Sequence, residues 1–322
     1  MARSSRRRFI RLSDWSDFIA SVKEDSAPIN LYELRRATYQ EIEEMRGRPL
    51  IVYAVKFPLP QLPPQFPRPP ISIDLEDVDG FVDLADSISG EEVDILLHSP
   101  GGSPEATERI VNILRSRFKK IGFLIPHSAY SAATMLALSG DEIVLHWSSS
   151  LGPIDPQING VPARALRRGF EKAKKALKEE GPEALPAYIP LIEKYTLEIL
   201  EICEDYEQLS RELVTEWLSQ YMFGGADDKH ETIERAVEYF SNYDSHRTHS
   251  RALTYDKIKD LDLNITLADE KLTGLLREAY ILLNGFFDVT PFVKVFENSR
   301  NTSWGKQFQI VQQQPQQPQQ PQ

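Results

Sequence analysis

Ser131 is the residue in this chain best placed by type and context to act as a nucleophile. It sits in Tyr130-Ser131-Ala132-Ala133-Thr134, a run of small side chains that follows the apolar stretch Ile121 to Pro126 and opens a helix. An earlier apolar stretch, Asp94 to His98, ends at Ser99-Pro100-Gly101-Gly102, where proline fixes φ and two glycines permit positive φ or close backbone approach. Attack of a hydroxyl on an acyl carbon needs two N–H donors fixed in advance around the developing oxyanion, each worth about 3 kcal/mol of barrier. The N–H groups of Gly102 and Ala132 are the natural pair, and a side chain at Gly102 is expected to fill the space the carbonyl needs.

These residues must be positioned by alternating strands and helices. Strands are expected at Pro49 to Val55, Asp94 to His98, Ile121 to Pro126 and Glu142 to Trp147. Between them lie helical spacings, one through Phe81, Leu84 and Ile88 and another through Ala106, Ile110, Ile113 and Leu114. Strands joined by helices of this length make parallel crossovers. The last of the strands, Glu142 to Trp147, leads into Leu151-Gly152-Pro153-Ile154-Asp155-Pro156-Gln157, a stiff loop in which Asp155 either orients a catalytic base or caps the turn.

Four blocks in order, His98-Ser99-Pro100-Gly101-Gly102, then Pro126, His127, Ala129, Ser131 and Thr134, then Asp141-Glu142-Ile143, then Leu151 to Gln157, resemble the serine dehydrogenase proteinase family. That is a ClpP-like group within the superfamily of the Clp proteolytic subunit, signal peptide peptidase A and the crotonases. The resemblance is strongest over residues 70–160 and implies a ClpP/crotonase-like α/β spiral of parallel βαβ units with a helical C-terminal extension. It implies a serine peptidase with no cofactor, acting on a peptide or protein substrate and assembling as a homo-oligomer. The alternatives are a crotonase-like acyl-CoA enzyme using the same oxyanion hole, and a catalytically silent scaffold that binds peptides in the same groove.

The general base is the open point. The Clp triad places a histidine beyond the strand that corresponds to Glu142 to Trp147, where this chain has Pro153-Ile154-Asp155-Pro156. His127, at a strand end, could act as base, line the pocket or cap a backbone group. A Ser–Lys dyad of the signal peptide peptidase type is the better supported choice, because a lysine desolvated in a cleft can accept a hydroxyl proton near neutral pH. The basic helix Ala163 to Glu180 offers Lys172, Lys174, Lys175 and Lys178. Counting from the Leu166, Phe170, Ala173, Leu177 stripe, Lys174 falls at the edge of the buried face and is preferred, with Lys172 second.

Composition bounds the rest. With 322 residues, 41% hydrophobic, the chain can bury a sizeable core, and a net charge of −11 argues against a nucleic-acid partner. The lone Cys203 excludes an internal disulfide and suits a reducing, cytoplasmic setting. No apolar run reaches the roughly 18 to 20 residues of a membrane span, unlike the membrane-anchored relatives. His246 and His249 are spaced as metal ligands can be, but no third ligand accompanies them, the other four histidines are scattered, and no metal is expected.

The expected organisation is an N-terminal helical arm over 1–48 and a ClpP-like core over 49–160. A helical oligomerisation segment follows over 161–225, then a C-terminal part over 226–311 and a disordered Gln/Pro tail over 312–322. The basic residues Arg3, Arg6, Arg7 and Arg8 read as a frayed arm, and Asp74 to Asp79 as a solvated helix N-terminus. The proline-dense stretch from Pro58 to Pro70 reads as a surface connector or a flap. One long helix is expected from Leu191 to Met222. Its apolar positions Ile192, Tyr195, Ile199, Ile202, Tyr206, Leu209 and Leu213 form a seam expected to contact another subunit. A hairpin is expected to pair Phe292 to Phe296 with Gln307 to Val311.

Overall fold

The structure is a computed structural model that describes residues 6–24, 30–59, 67–193 and 198–309. Two helices come first, α1 (Leu12–Glu24) and α2 (Leu31–Arg46), the second capped by the Asn30 side chain at its start and by Gly47 in the left-handed region at its end. The core then alternates β1 (Leu50–Val55), α3 (Asp77–Asp86), β2 (Glu92–His98), α4 (Pro104–Arg117) and β3 (Lys120–Ile125). It continues through the short β4 (Ser128–Ala129), α5 (Ala132–Leu138), β5 (Glu142–Leu145) and β6 (Ser150–Leu151). A small hairpin, β7 (Gln157–Ile158) and β8 (Val161–Pro162), leads into the helices α6 (Ala163–Glu180), α7 (Leu185–Glu193), α8 (Glu198–Trp217) and α9 (His230–Ser241). The last part holds α10 (Tyr243–His246), β9 (Leu253–Thr254), α11 (Tyr255–Ile258), β10 (Ile265–Leu267), α12 (Glu270–Val289), β11 (Phe292–Asn298) and β12 (Ser303–Gln307).

Seven strands form the main sheet in the order β10-β5-β3-β2-β1-β11-β12. The first five are mutually parallel, and β11 and β12 close one edge antiparallel. Residues 226–311 thus supply strands at both edges of the sheet that residues 49–160 begin. A second, three-stranded sheet, β4-β6-β9, stands where the loops after β3 and β5 meet. The fold is α/β and ClpP-like, as the sequence blocks imply.

Alternation along the strands sends side chains to two cores. Ile51, Tyr53, Ile95, Leu97, Phe123 and Ile143 pack with α3, α4 and α5 on one face. Val52, Ala54, Leu96, Leu124 and Val144 pack against α2 and α12 on the other. The site lies on the first face, at the carboxyl ends of the parallel strands.

Several expectations are corrected. The basic arm is clamped from Arg6 onward: Arg6 and Arg8 both reach the buried carboxylate of Glu278 and that of Glu41, and Phe9 packs on Trp15 and Phe18. The hairpin is tighter than expected, Phe292 facing Gln307 and Glu297 facing Ser303, so that Gln307 ends the second strand. Of the expected long helix, residues 191–193 end α7 and Glu198–Trp217 form α8, while Tyr195 and the tail lie outside the described residues, as do residues 60–66 of the proline-dense stretch.

The acidic run is the largest departure. Asp77 is fully buried, accepting from the Tyr53 hydroxyl at 2.9 Å and from the Lys294 Nζ at 2.8 Å, with Lys306 3.0 Å away. Lys294, itself 0% exposed, also donates to the Ser72 carbonyl and to Asp74. A lysine in the otherwise apolar strand Phe292-Val293-Lys294-Val295-Phe296 is the signal for this pairing, because an amine is buried in such a strand only with a counter-charge. Replacing Lys294 with methionine leaves the Asp77 carboxylate short of its main partner and should destabilise the protein by about 3 kcal/mol. Thermal or urea unfolding of the variant measures this, and an unchanged midpoint would show that Lys306 alone suffices.

Candidate active site

Ser131 occupies the residue before α5 with φ 53° and ψ −126°, a conformation that L-residues rarely adopt. Its hydroxyl has no hydrogen-bond partner among the described residues. The strain is held by the surrounding ladder: Ser99 donates its N–H to the Ser128 carbonyl at 3.1 Å, and Tyr130 donates back to the Ser99 carbonyl at 3.0 Å. Thr134 locks the same turn from inside the helix, its hydroxyl donating to the carbonyls of Ala129 and Gly152.

The two glycines answer to different neighbours. A Cβ on Gly101, which has φ 94°, would stand 2.3 Å from the Tyr130 carbonyl oxygen, 2.7 Å from Ser131 Cβ and 2.8 Å from the Ala132 nitrogen. A Cβ on Gly102 would instead strike the backbone of Ile73 at 2.2 to 2.8 Å. The reason is a short parallel bridge, Ile73 N–H to the Gly101 carbonyl and Ser103 N–H to the Ile73 carbonyl. The expectation that bulk at Gly102 fills the carbonyl's space is therefore redirected: it collides with the Ile71–Asp74 strip that walls the site, and Gly101 is the residue pressed against Ser131.

Ser131, Gly101, Gly102 and Ala132 line one cavity of about 930 Å³. Ile73 and Asp74 form one wall, Met135, Ile154 and Gln157 another, and Ile199, Ile202 and Tyr206 of α8 cover it. The α8 seam therefore lines a cavity of its own chain, with Ile202 still 40% exposed. Ile199, Ile202 and Tyr206 roof the cavity, and Leu209 and Leu213 join the main core. Tyr206 donates its hydroxyl to Glu105 at the start of α4, which ties the roof to the floor.

His249 also lines this cavity, and its Nδ1 lies 3.0 Å from Asp155 Oδ1. Asp155 is 3% exposed, and its second oxygen is buried with no partner among the described residues. A carboxylate only accepts, so this contact puts the proton of neutral His249 on Nδ1 and leaves Nε2 with its lone pair. His246, three residues away, is turned elsewhere and pairs with the Tyr239 carbonyl, so the two histidines do not converge. Among the described residues no group of three or more His, Cys, Asp or Glu is arranged to hold a metal ion.

The other candidate bases stand apart. Lys172 and Lys174 are exposed on α6 and do not line the cavity, because α6 turns only Ala163 and Leu166 fully inward. The Lys174 edge position from the helical count therefore faces solvent. His127 stacks on the Tyr280 ring at 4.5 Å, on the α12 side of the sheet and away from Ser131. Asp155 is brought into the site, and His249 is the residue that sequence reasoning missed, its signal masked by the long separation from Ser131.

A parallel α/β core that holds a serine in a positive-φ turn against a Gly-Gly turn is a ClpP-like architecture, here with an Asp–His pair beside the serine's cavity. The chain belongs to the family of ClpP-like SDH-type serine proteinases, whose model matches residues 73–284. Two uncharacterized proteins of Methanocaldococcus jannaschii are similar. One is 28% identical over 191 residues, covering 59% of this chain and 56% of the relative. The other is 32% identical over 80 residues, 25% of this chain and 28% of that relative. The chain thus spans about half the length of the first and about a quarter of the second.

Among solved structures, ClpP1 from Listeria monocytogenes is similar at 15% identity, with 63% of this chain and 90% of that one covered and a TM-score of 0.35. A membrane-bound stomatin-specific protease matches at 18% identity, 62% and 77% coverage and 0.36. The ClpP protease catalytic domain from Plasmodium falciparum matches at 14%, 62% and 82%, and 0.33. No helix among the described residues is long and apolar enough to cross a membrane.

The backbone of Ser131 carries a testable consequence. Glycine adopts its φ and ψ without strain, so Ser131→Gly should raise stability by about 1 kcal/mol, whereas Ser131→Ala keeps the strain and should not. Urea unfolding of the two variants side by side checks this, and a destabilised glycine variant would remove the claim of strain.

Proposed function

We propose that this chain is a serine peptidase in which Ser131 is the nucleophile, His249 the general base, and Asp155 the carboxylate that orients it. The observation that carries this reading is the placement of a free, strained serine hydroxyl and a carboxylate-held histidine in one cavity. In the reaction Ser131 Oγ attacks the scissile carbonyl while His249 Nε2 takes its proton. The N–H groups of Gly102 and Ala132 receive the oxyanion, and the imidazolium then protonates the leaving amine. The histidine contact to Ser131 closes on substrate binding, since catalytic hydrogen bonds commonly tighten only in the complex.

His249 replaces Lys174 and Lys172 as base in this reading because a neutral amine requires desolvation, and both lysines are exposed. An extended peptide fits a cavity walled by the backbone strip at Ile73 and by the Gln157–Ile158 strand. Self-association, as the sequence suggests, is proposed to use α6 and α7, where Leu185 and Ile189 are exposed.

Labelling with a fluorophosphonate tests the nucleophile, and an adduct on Ser131 is expected. Ser131→Ala should abolish both labelling and peptide cleavage with folding intact, and His249→Ala should lower cleavage by about three orders of magnitude or more. The double change Lys172→Met with Lys174→Met should leave cleavage within about twofold of wild type. Undiminished cleavage by His249→Ala, or its loss in the lysine variant, would return the base to α6. Light scattering at micromolar concentration should report an oligomer that Ile189→Asp weakens, and a monomeric wild type would sink the assembly proposal.

A further inference from the structure

The histidines that look scattered along the chain meet in space. His98 ends β2, His127 follows β3 and His146 follows β5, so the carboxyl ends of three adjacent strands each carry one histidine, and His146 donates its backbone N–H to the Ile125 carbonyl beside His127. The His98 and His127 rings are 5.5 Å apart, and both contact Tyr280 of α12, His127 stacked at 4.5 Å and His98 edge-on at 5.3 Å. Arg277, one turn earlier on α12, lies 5.7 Å over the Tyr280 ring.

Hydrogen-bond accounting shows what this cluster lacks. Both ring nitrogens of His98 face backbone carbonyls, those of Ser128 and Phe57, and since burial pushes its pKa down to about 4, the neutral ring donates its single N–H to one of the two. His146 Nδ1 receives the Ser148 N–H at 3.1 Å and the Ser148 hydroxyl at 2.8 Å. A backbone N–H can only donate, so the ring proton of His146 is on Nε2. His127 Nδ1 meets the Ser128 hydroxyl at 2.7 Å, a contact that either group can donate. Among the described residues neither Nε2 has a hydrogen-bond partner, and Arg277 has neither a hydrogen bond nor an ion pair.

This end of the sheet therefore gathers the His146 N–H, the His127 ring and an unpaired guanidinium, in a chain with net charge −11. Burial first, then the Arg277 charge, pushes the pKa values of His127 and His146 down, and His146 also feels His127. The Tyr280 hydroxyl is pushed up chiefly by burial, with Asp288 the carboxylate it senses. Strand carboxyl ends in parallel sheets are where such folds bind ligands. Trp147, beside His146 at 5.4 Å, is 70% exposed and leaves a flat apolar surface at the rim.

We propose that Arg277, His127 and His146 form a binding site for a tetrahedral oxyanion, a phosphate or sulfate group either free or carried on an organic molecule. The site is separate from the Ser131 cavity and does not depend on the peptidase reading. A bound dianion favours the imidazolium forms and raises both histidine pKa values, so binding takes up protons and strengthens as pH falls.

Sulfate, which keeps its charge across this range, is the probe for calorimetric titration of the full chain at pH 6 and pH 8 in low chloride. Saturable binding that is tighter at pH 6 is expected. Arg277→Gln should weaken it roughly tenfold or more, as loss of a charged hydrogen-bond donor does. Arg109→Gln, on exposed α4 surface, should not. Imidazole resonances supply a second readout on the unaltered protein: sulfate should raise the pKa of His127 and His146 and leave that of His230 unchanged. Inorganic phosphate and phenyl phosphate distinguish the carriers, equal affinities marking a free anion and tighter phenyl phosphate an organic ester seated beside Trp147. No saturable binding, equal affinity at both pH values, or equal weakening by Arg109→Gln would overturn the site.

Discussion

Everything at the candidate active site depends on two backbone turns lying in direct contact, Ser99 to Ser103 against Ser128 to Ala132. The contact is tight enough that a single Cβ at Gly101 would overlap the Tyr130 carbonyl and the Ala132 nitrogen. Side chains would hold the turns apart, so the approach needs glycine on one side and the small residues of α5 on the other. The reward is positional. The bridge between Ser99 and Ala129 and its hydrogen bonds hold Ser131 in a backbone conformation it would not choose alone.

That contact is supported from beneath by buried charge. Lys294 joins the Ser72 carbonyl, Asp74 and Asp77 in one cluster, which pins the Ile71–Asp74 strip, and the strip in turn pairs with Gly101 and Ser103. A second network, Arg46 and Arg48 with Asp94 and Glu142, ties the amino ends of β2 and β5 on the opposite side of the sheet. The two clusters leave the apolar faces of the strands free to pack. The energetic return of each pair is modest, but losing one partner strands a buried charge, which makes the arrangement specific.

The C-terminal half does more than extend the core. Its strands finish the main sheet at both edges, α8 roofs the cavity, and the segment after α10 delivers His249 to Asp155. The resemblance to the Clp subunit leads one to expect a histidine in the loop after β5; in this chain Asp155 stands in that loop, and His249 reaches it from later in the chain.

The local elements were legible because their causes are local. Strand runs, the Pro-Gly-Gly turn, the small-residue helix start and the order of the parallel crossovers follow from periodicity and backbone preference, and these elements carry Ser131, Gly101, Gly102 and Ala132 to one cavity. Pairings over long separations were not legible, since nothing in the spacing of Asp155 and His249, or of Asp77 and Lys294, states that they meet. Burial decided those: an apolar count put Lys174 at a helix edge, but only the packing of α6 turns that edge to solvent. Likewise the α8 periodicity established an apolar stripe, and only the tertiary structure decided that it covers a cavity in its own chain, because a stripe records that a face is buried and not by what.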